Sequence, residues 1–313
     1  MYLLTGSTGF IGQSIAKELG MQGKSFVATT RSSSNNINSQ FLSTKVYVTG
    51  DMNSHTNWVP ALDQVKAVIH CAAQITAGPS NQPQRYRNTN ISGTMKLAQQ
   101  AAEAGVQRFI FLSSIQVHGN TTIAPITEID TPQPYDLYTT SKLEAEQQLL
   151  TLAEQTGMEV VIIRPPLVYG PNVKGNFAAL VKLIQKGIPL PLGAIHNKRS
   201  LVALENLTSL VILCADRIRS PQAANQIFVI ADGEDVSTTT LLQKISKAAG
   251  RSSRLLPIPS LLLSTGATIL GKRHIAEKLL GNFQVDASKA RNILGWVPVI
   301  TMDEQLAKIF QKH

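Results

Sequence analysis

Tyr138 and Lys142 stand four residues apart in Tyr138-Thr139-Thr140-Ser141-Lys142, a spacing that puts both on one face of a helix. Two hydroxyls, Ser113 and Ser114, close the apolar run Phe109-Ile110-Phe111-Leu112. If that run is a parallel strand, they lie at its carboxyl end, where open α/β sheets bind ligands. At the start of the chain, Thr5-Gly6-Ser7-Thr8-Gly9-Phe10-Ile11-Gly12 follows Met1-Tyr2-Leu3-Leu4 and opens an amphipathic stretch ending near Leu19. A strand, a glycine turn and a helix N-terminus form the geometry for a dinucleotide pyrophosphate, because unpaired N–H groups and the positive end of the helix dipole converge there. Gly6 permits the tight turn, Gly9 lets the backbone approach phosphate, and Gly12 allows close packing of helix on sheet. Serine, tyrosine and lysine in this order behind such a turn make a reductase-type active site.

Elements able to position these groups are visible in the pattern. Short β-branched runs over 25–30, 45–49, 67–72, 108–113 and 159–164 alternate with helical stretches, clearest over 88–104 and 135–156. That alternation predicts a parallel sheet with crossover helices, and Gly105 sits where a left-handed cap is usual. After Arg164 prolines and glycines become frequent. The expected architecture is therefore α/β: a Rossmann-type doubly wound sheet over 1–164, and a smaller α+β substrate-binding portion over 165–313. A run at 226–231 is expected to return to the main sheet.

The 313 residues, 43% hydrophobic and 16% charged, describe an ordinary globular chain. No apolar run approaches the about 20 residues of a membrane span. The first strand begins at once, so no signal peptide is expected and the expected location is cytoplasmic. Cys71 and Cys214 read as buried free thiols. The six scattered histidines form no metal-ligand spacing, and no metal is expected. The net charge of +9 is dispersed, with no nucleic-acid signature, and favours anionic small-molecule ligands.

Six motifs in order make the chain resemble the extended short-chain dehydrogenase/reductase family, in its nucleotide-sugar epimerase/dehydratase/reductase branch. They are Thr5–Gly12, His70-Cys71-Ala72-Ala73, Asn90-x-x-Gly93-Thr94, Ser113-Ser114-x-x-Val117-x-Gly119, Tyr138-x-x-x-Lys142 and Arg164-Pro165-x-x-Val168-Tyr169-Gly170-Pro171. The resemblance implies that Tyr138 is the general acid/base and Ser114 the hydroxyl that holds the substrate oxygen. Ser113 competes for that role, but spacing back from Val117-x-Gly119 favours Ser114. Lys142 would bind the nicotinamide ribose and draw the tyrosine pKa down from near ~10. Implied cofactor contacts come from Gly6, Thr8, Gly9, Phe10, Ile11, Gly12, Arg31, Asp51, Met52, Ala72, Ala73, Asn90, Tyr138, Lys142 and Pro165. Asn176 and Arg199 match residues that meet a ligand diphosphate. The arginine that relatives often place before the terminal helix is replaced by Lys278-Leu279-Leu280-Gly281-Asn282, with Arg273 as a substitute.

Two departures separate subclasses. The second strand ends Thr29-Thr30-Arg31-Ser32-Ser33 rather than on an acid, which suits a 2′-phosphate and favours NADP(H) over NAD(H). Ile115-Gln116 replaces the Asp-Glu pair of dehydratases. The expectation is therefore NADPH-dependent reduction of the C4 ketone of a UDP-linked 4-keto-6-deoxy-N-acetylhexosamine in surface-polysaccharide synthesis. An NAD-dependent UDP-sugar C4 epimerase is the alternative, and a non-catalytic NADP sensor is a distant third. A nucleotide-sugar substrate and a homodimer through the two long helices complete the expectation. The apolar segment 257–270 suits either an anionic membrane face or a helix packed over the substrate pocket, and the pocket is preferred.

Overall fold

The computed structural model describes residues 1–32, 45–75, 83–269, 271 and 273–311, with the backbone alone at 273–275. Seven strands form the main sheet: β1 (Tyr2–Thr5), β2 (Phe26–Thr30), β3 (Lys45–Val48), β4 (Ala67–His70), β5 (Arg108–Leu112), β6 (Glu159–Arg164) and, far along the chain, β9 (Ile227–Val229). Their order is β3-β2-β1-β4-β5-β6-β9 and every pairing is parallel. The chain winds outward from β1 through β2 to β3, then restarts at β4 on the other side of β1. The crevice between β1 and β4 is thus the topological switch point, where doubly wound sheets bind ligands.

Strands β2, β4 and β5 are buried throughout, as expected of a sheet covered on both faces. One face packs on helices Phe10–Met21 and Leu204–Ala215, burying Ile15, Leu19, Leu207 and Leu210. The other packs on Thr94–Glu103 and Leu137–Thr156, burying Leu97, Phe109, Phe111 and Leu149. Since Leu204–Ala215 and β9 both belong to this unit, the chain after Arg164 supplies both lobes. The smaller lobe is a three-stranded sheet of β7 (Leu167–Tyr169), β8 (Arg199–Ala203) and β10 (Asp235–Val236), ordered β10-β8-β7. Helices Gly175–Gln185 and Thr238–Ala248 share its core through Phe177, Val181, Leu242 and Ile245.

Two expected elements differ. The helical stretch expected over 88–104 is interrupted by a π-helical turn, Arg87–Gly93, between Pro83–Tyr86 and Thr94–Glu103. The helix within 257–270 runs only over Ser260–Ile269, with no residue fully buried and Leu263 half-buried against the core of the smaller lobe. Leu270 and Lys272 lie outside the described residues.

Candidate active site

The glycine turn is built by steric necessity. Gly6 has φ +67°, and its N-terminal neighbour Thr5 ends β1. Gly9 N–H donates to Gly6 O at 2.9 Å, closing the turn. A Cβ on Gly12 would lie 2.0 Å from Gly6 O, and one on Gly6 would lie 2.8 Å from the Ala72 nitrogen. Helix Phe10–Met21 starts at Gly9 with no side-chain cap, so the N–H groups of its first turn remain available to an anion. Ser7 Oγ donates to Thr29 O at 2.8 Å and ties the turn to β2. This cradle, with its free donors and no room for side chains, fits a dinucleotide pyrophosphate. Thr8 is exposed, and Phe10 and Ile11 are half-buried at its rim.

Arg31 is exposed just past β2. Ser33, the last of the serines in the 2′-phosphate argument, lies outside the described residues. Asp51 is exposed and Met52 buried at the start of the loop after β3.

Beneath the turn a hydrogen-bonded chain runs through His70. Ala72 N–H donates to Thr5 Oγ1 at 3.2 Å, Thr5 Oγ1 lies 2.6 Å from His70 Nδ1, and His70 Nε2 lies 2.9 Å from Thr94 Oγ1. All three lengths are satisfied when Thr5 donates to Nδ1 and Nε2–H donates to Thr94. One neutral imidazole thereby fixes the glycine turn, the Ala72-Ala73 loop and the start of helix Thr94–Glu103.

Burial, with Lys142 nearby, holds His70 down at about 3. Burial, with Arg164 nearby, lowers His118 to about 4. The unfolded chain takes up these protons near the ordinary 6.5. The stability of the two neutral rings is therefore fully present above that value and is lost progressively as pH falls towards the folded values. The urea midpoint is expected to drop steadily on acidification from neutrality to about pH 4; a constant midpoint over that window would contradict buried neutral rings.

Asn90 has a different task from the direct cofactor contact expected of it. Its Oδ1 accepts from Gln74 N–H at 2.7 Å, while Nδ2 donates to Gln74 O at 3.0 Å and to Ser141 Oγ at 2.9 Å. Both ends of the amide are used within the protein, and the residue is buried. The π-turn sets the side chain in register with both partners, an arrangement common at functional sites. Asn90 therefore fastens the loop beyond Ala72 and Ala73, both half-buried, to the helix that carries Tyr138.

That helix, Leu137–Thr156, starts in a capping box: Thr139 N–H donates to Asp136 Oδ1 at 2.8 Å, and Asp136 N–H to Thr139 Oγ1 at 3.1 Å. The cap sets Tyr138 in the first turn and Lys142 one turn on. Lys142 is 2% exposed, with Nζ 3.9 Å from the centroid of the Phe111 ring. Burial lowers its pKa to about 7. Tyr138 is pushed up to about 12 by burial, with Asp136, Tyr135 and Tyr86 adding to the rise. The expected electrostatic lowering of the phenol by Lys142 is thus not what the protein alone produces. The ammonium faces the aromatic floor of β5, and desolvation governs both groups.

Ser114 follows β5 and caps the short 3₁₀ turn Ile115–His118, its Oγ accepting from Gln116 N–H at 3.2 Å. Its hydroxyl proton is left free to donate. Ser113 stays in the ladder through N–H to Ile163 O at 2.8 Å, and its buried Oγ has no protein partner. Pro165 O accepts from Ile115 N–H at 3.0 Å and braces the same turn.

Sequence reasoning missed what steadies this arrangement. Glu146 stands one turn beyond Lys142 and accepts from Arg164 twice, Nε to Oε1 at 3.1 Å and Nη2 to Oε2 at 2.5 Å. Arg164 Nη1 also lies 2.8 Å from His118 Nε2. A second charged residue, one turn on from Lys142 on the same helix face, was the available signal.

On the substrate side, Asn176 is exposed in the first turn of Gly175–Gln185. Arg199, half-buried, donates from Nη1 to Lys278 O at 2.7 Å and Gly281 O at 3.2 Å. It therefore braces the carboxyl end of helix Arg273–Leu280, where cations are favoured, rather than standing wholly free for a diphosphate. Asn197 Nδ2 joins it on Leu279 O and Gly281 O. The Arg273 side chain lies outside the described residues. Among the described residues there is no metal-binding cluster and no helix long and apolar enough to cross a membrane.

Comparison with known proteins agrees with this geometry. The chain is 42% identical to a UDP-glucose 4-epimerase of Vibrio cholerae over 96% of its own length and 92% of the relative's. It is 25% identical to a 3-beta-hydroxysteroid dehydrogenase of Mycolicibacterium neoaurum over 98% of this chain and 89% of that one. In fold it matches UDP-N-acetylglucosamine 4-epimerase from Methanobrevibacter ruminantium, solved with UDP-N-acetylmuramic acid, at TM-score 0.80 and 21% identity, covering 99% of this chain and 96% of that one. A UDP-glucuronic acid 4-epimerase from Bacillus cereus, solved with NAD, gives TM-score 0.79 and 20% identity, covering 99% and 97%. Residues 2–231 match the NAD dependent epimerase/dehydratase family, and the chain belongs to that family as an NAD(P)-dependent enzyme of the short-chain dehydrogenase/reductase type.

Proposed function

We propose that this enzyme interconverts the C4 epimers of a UDP-linked sugar with a tightly held NAD. The observation that carries this reading is the 42% identity to a UDP-glucose 4-epimerase along almost the whole chain, joined to a Ser–Tyr–Lys set at the carboxyl edge of the sheet. It reverses the order expected from sequence, where net reduction came first.

The glycine turn would hold the pyrophosphate and Lys142 the nicotinamide ribose. Bound nicotinamide would supply the acceptor and donor of hydride. Ser114 Oγ–H donates to the C4 oxygen and fixes its place. Tyr138 takes the C4 hydroxyl proton as the carbon loses hydride. After the 4-keto sugar turns over, Tyr138 would return the proton to the C4 oxygen. Protons and hydride balance over the cycle, so no external reductant is consumed. Asn176 and the remaining N–H donors of Arg199 would meet the UDP diphosphate, with Asn90 in a supporting role.

Arg31 favours the second reading, a net 4-keto reductase using exchangeable NADPH, because its planar fork suits a 2′-phosphate. The freshly purified protein separates the two. The epimerase reading expects NAD in the denatured supernatant and conversion of UDP-glucose to UDP-galactose with no cofactor added. Exchangeable NADPH, weakened about tenfold by Arg31→Ala, with no epimerisation, would replace it with the reductase. A homodimer through Thr94–Glu103 and Leu137–Thr156 belongs to the same proposal. The shared groove of these helices is lined by Met95 and Leu152 together with Gln99, Gln147, Gln148, Thr151 and Gln155, so an interface there would join apolar and polar groups.

A further inference from the structure

The basic residues are dispersed, but the acidic residues are unevenly placed. Residues 160–204 and 236–276 hold twelve of the 29 lysines and arginines and none of the twenty aspartates and glutamates. The formal +9 therefore resides in these two stretches, although Arg164 is paired with Glu146 in the interior and Lys244 with Glu234 and Asp303 at the surface.

Helix Ser260–Ile269 stands out from this basic ground with no buried residue. Leu261, Leu262 and Ile269 are 75%, 63% and 80% exposed, while Leu256 and Ile188 add apolar surface beside them. Leu256 and Ile188 belong to two laced segments: Leu190 N–H donates to Arg254 O, Leu256 N–H to Leu190 O and Gly193 N–H to Leu256 O, at 2.8–2.9 Å. Arg254 also donates to Gly187 O. The same rim carries exposed Lys182, Lys186, Arg251 and Arg254.

The helix leaves no side-chain polar group in need of water over 261–269. Ser264 Oγ and Thr265 Oγ1 both donate to Leu261 O at 2.9 Å, and Thr268 Oγ1 donates to Ser264 O at 2.8 Å. In water these hydroxyls have solvent as an alternative partner. Against hydrocarbon, closure on the helix's own carbonyls is how they are satisfied. An apolar outer face, self-satisfied hydroxyls and a basic rim of Lys182, Lys186, Arg251 and Arg254 together match one environment.

We propose that helix Ser260–Ile269 is an interfacial docking element that seats the smaller lobe on an anionic lipid bilayer. Leu261, Leu262 and Ile269 enter the acyl boundary, and the basic rim meets the headgroups. The inference does not depend on which sugar reaction the site performs.

The full-length protein is floated with phosphatidylcholine vesicles and with vesicles that are half phosphatidylglycerol. Flotation is expected with the anionic vesicles, weakening as salt rises. Leu261→Ser with Leu262→Ser should lower vesicle affinity at least about tenfold, with cofactor content and circular dichroism unchanged because both side chains are exposed. Arg251→Gln with Arg254→Gln should reduce the preference for anionic vesicles. Failure of the unaltered protein to float overturns the proposal, as does a leucine variant that floats equally well. Concentration-dependent self-association abolished by the leucine variant, without flotation, also overturns it and assigns the face to a second copy.

Discussion

Tyr138→Phe is expected to lower turnover by about 10²–10⁴-fold while leaving bound cofactor and fold intact. The substitution removes one oxygen. Tyr138 is half-buried, and no protein hydrogen bond to its hydroxyl is found among the described residues, so the stability change should stay within about 0.5 kcal/mol. The loss then reads as chemistry rather than unfolding. With its pKa pushed up to about 12, the phenol is a ready proton donor in the protein alone and a poor base until positive charge approaches. Lys142, lowered to about 7 by burial, cannot supply that charge in full at neutral pH. The deficit should fall on kcat rather than KM, since the hydroxyl acts in the transition state and contributes little to holding the nucleotide. A Tyr138→Phe enzyme within tenfold of the unaltered rate would remove Tyr138 from the chemistry. Unchanged ligand binding with no turnover in the parent protein would favour a sensor.

What could be read in advance was what local sterics dictate. The glycine turn follows from two positions, Gly6 and Gly12, with no room for a Cβ, and the parallel sheet from buried β-branched runs. The run over 67–72 overshoots β4 by two residues because Cys71 and Ala72 leave the ladder to carry a loop. Long-range pairing was not legible. Nothing periodic in the run over 88–104 announces a π-turn, which aligns Asn90 with Gln74, sixteen residues back, and Ser141, fifty-one ahead. Arg199 looked like a free anion binder because its partners are the backbone carbonyls of Lys278 and Gly281, which no side-chain pattern encodes. The leucines of Ser260–Ile269 divide, Leu263 meeting the core of the lobe while Leu261 and Leu262 stay exposed, and hydrophobicity alone does not encode that division.

The buried pair Arg164–Glu146 is the second place where one change should have a large effect. Arg164 is 3% exposed and Glu146 1%. Their two parallel hydrogen bonds join the carboxyl end of β6 to the helix of Tyr138 and Lys142. Through His118, Arg164 also holds the 3₁₀ turn that Ser114 caps. Arg164→Met strands a carboxylate in the interior and is expected to cost about 3–5 kcal/mol in urea denaturation. Arg164→Met with Glu146→Leu removes both charges and should recover most of that stability, since a well-packed apolar pair often equals a buried ion pair. It should not recover turnover, because His118 loses its tether and the turn that Ser114 caps loses its brace. A double variant as stable as the parent yet slower at saturating substrate would make Arg164 a positioning residue. Full recovery of both stability and rate would reduce the pair to a packing element. A single variant that costs less than about 1 kcal/mol would mean Glu146 finds water or a proton when its partner is lost.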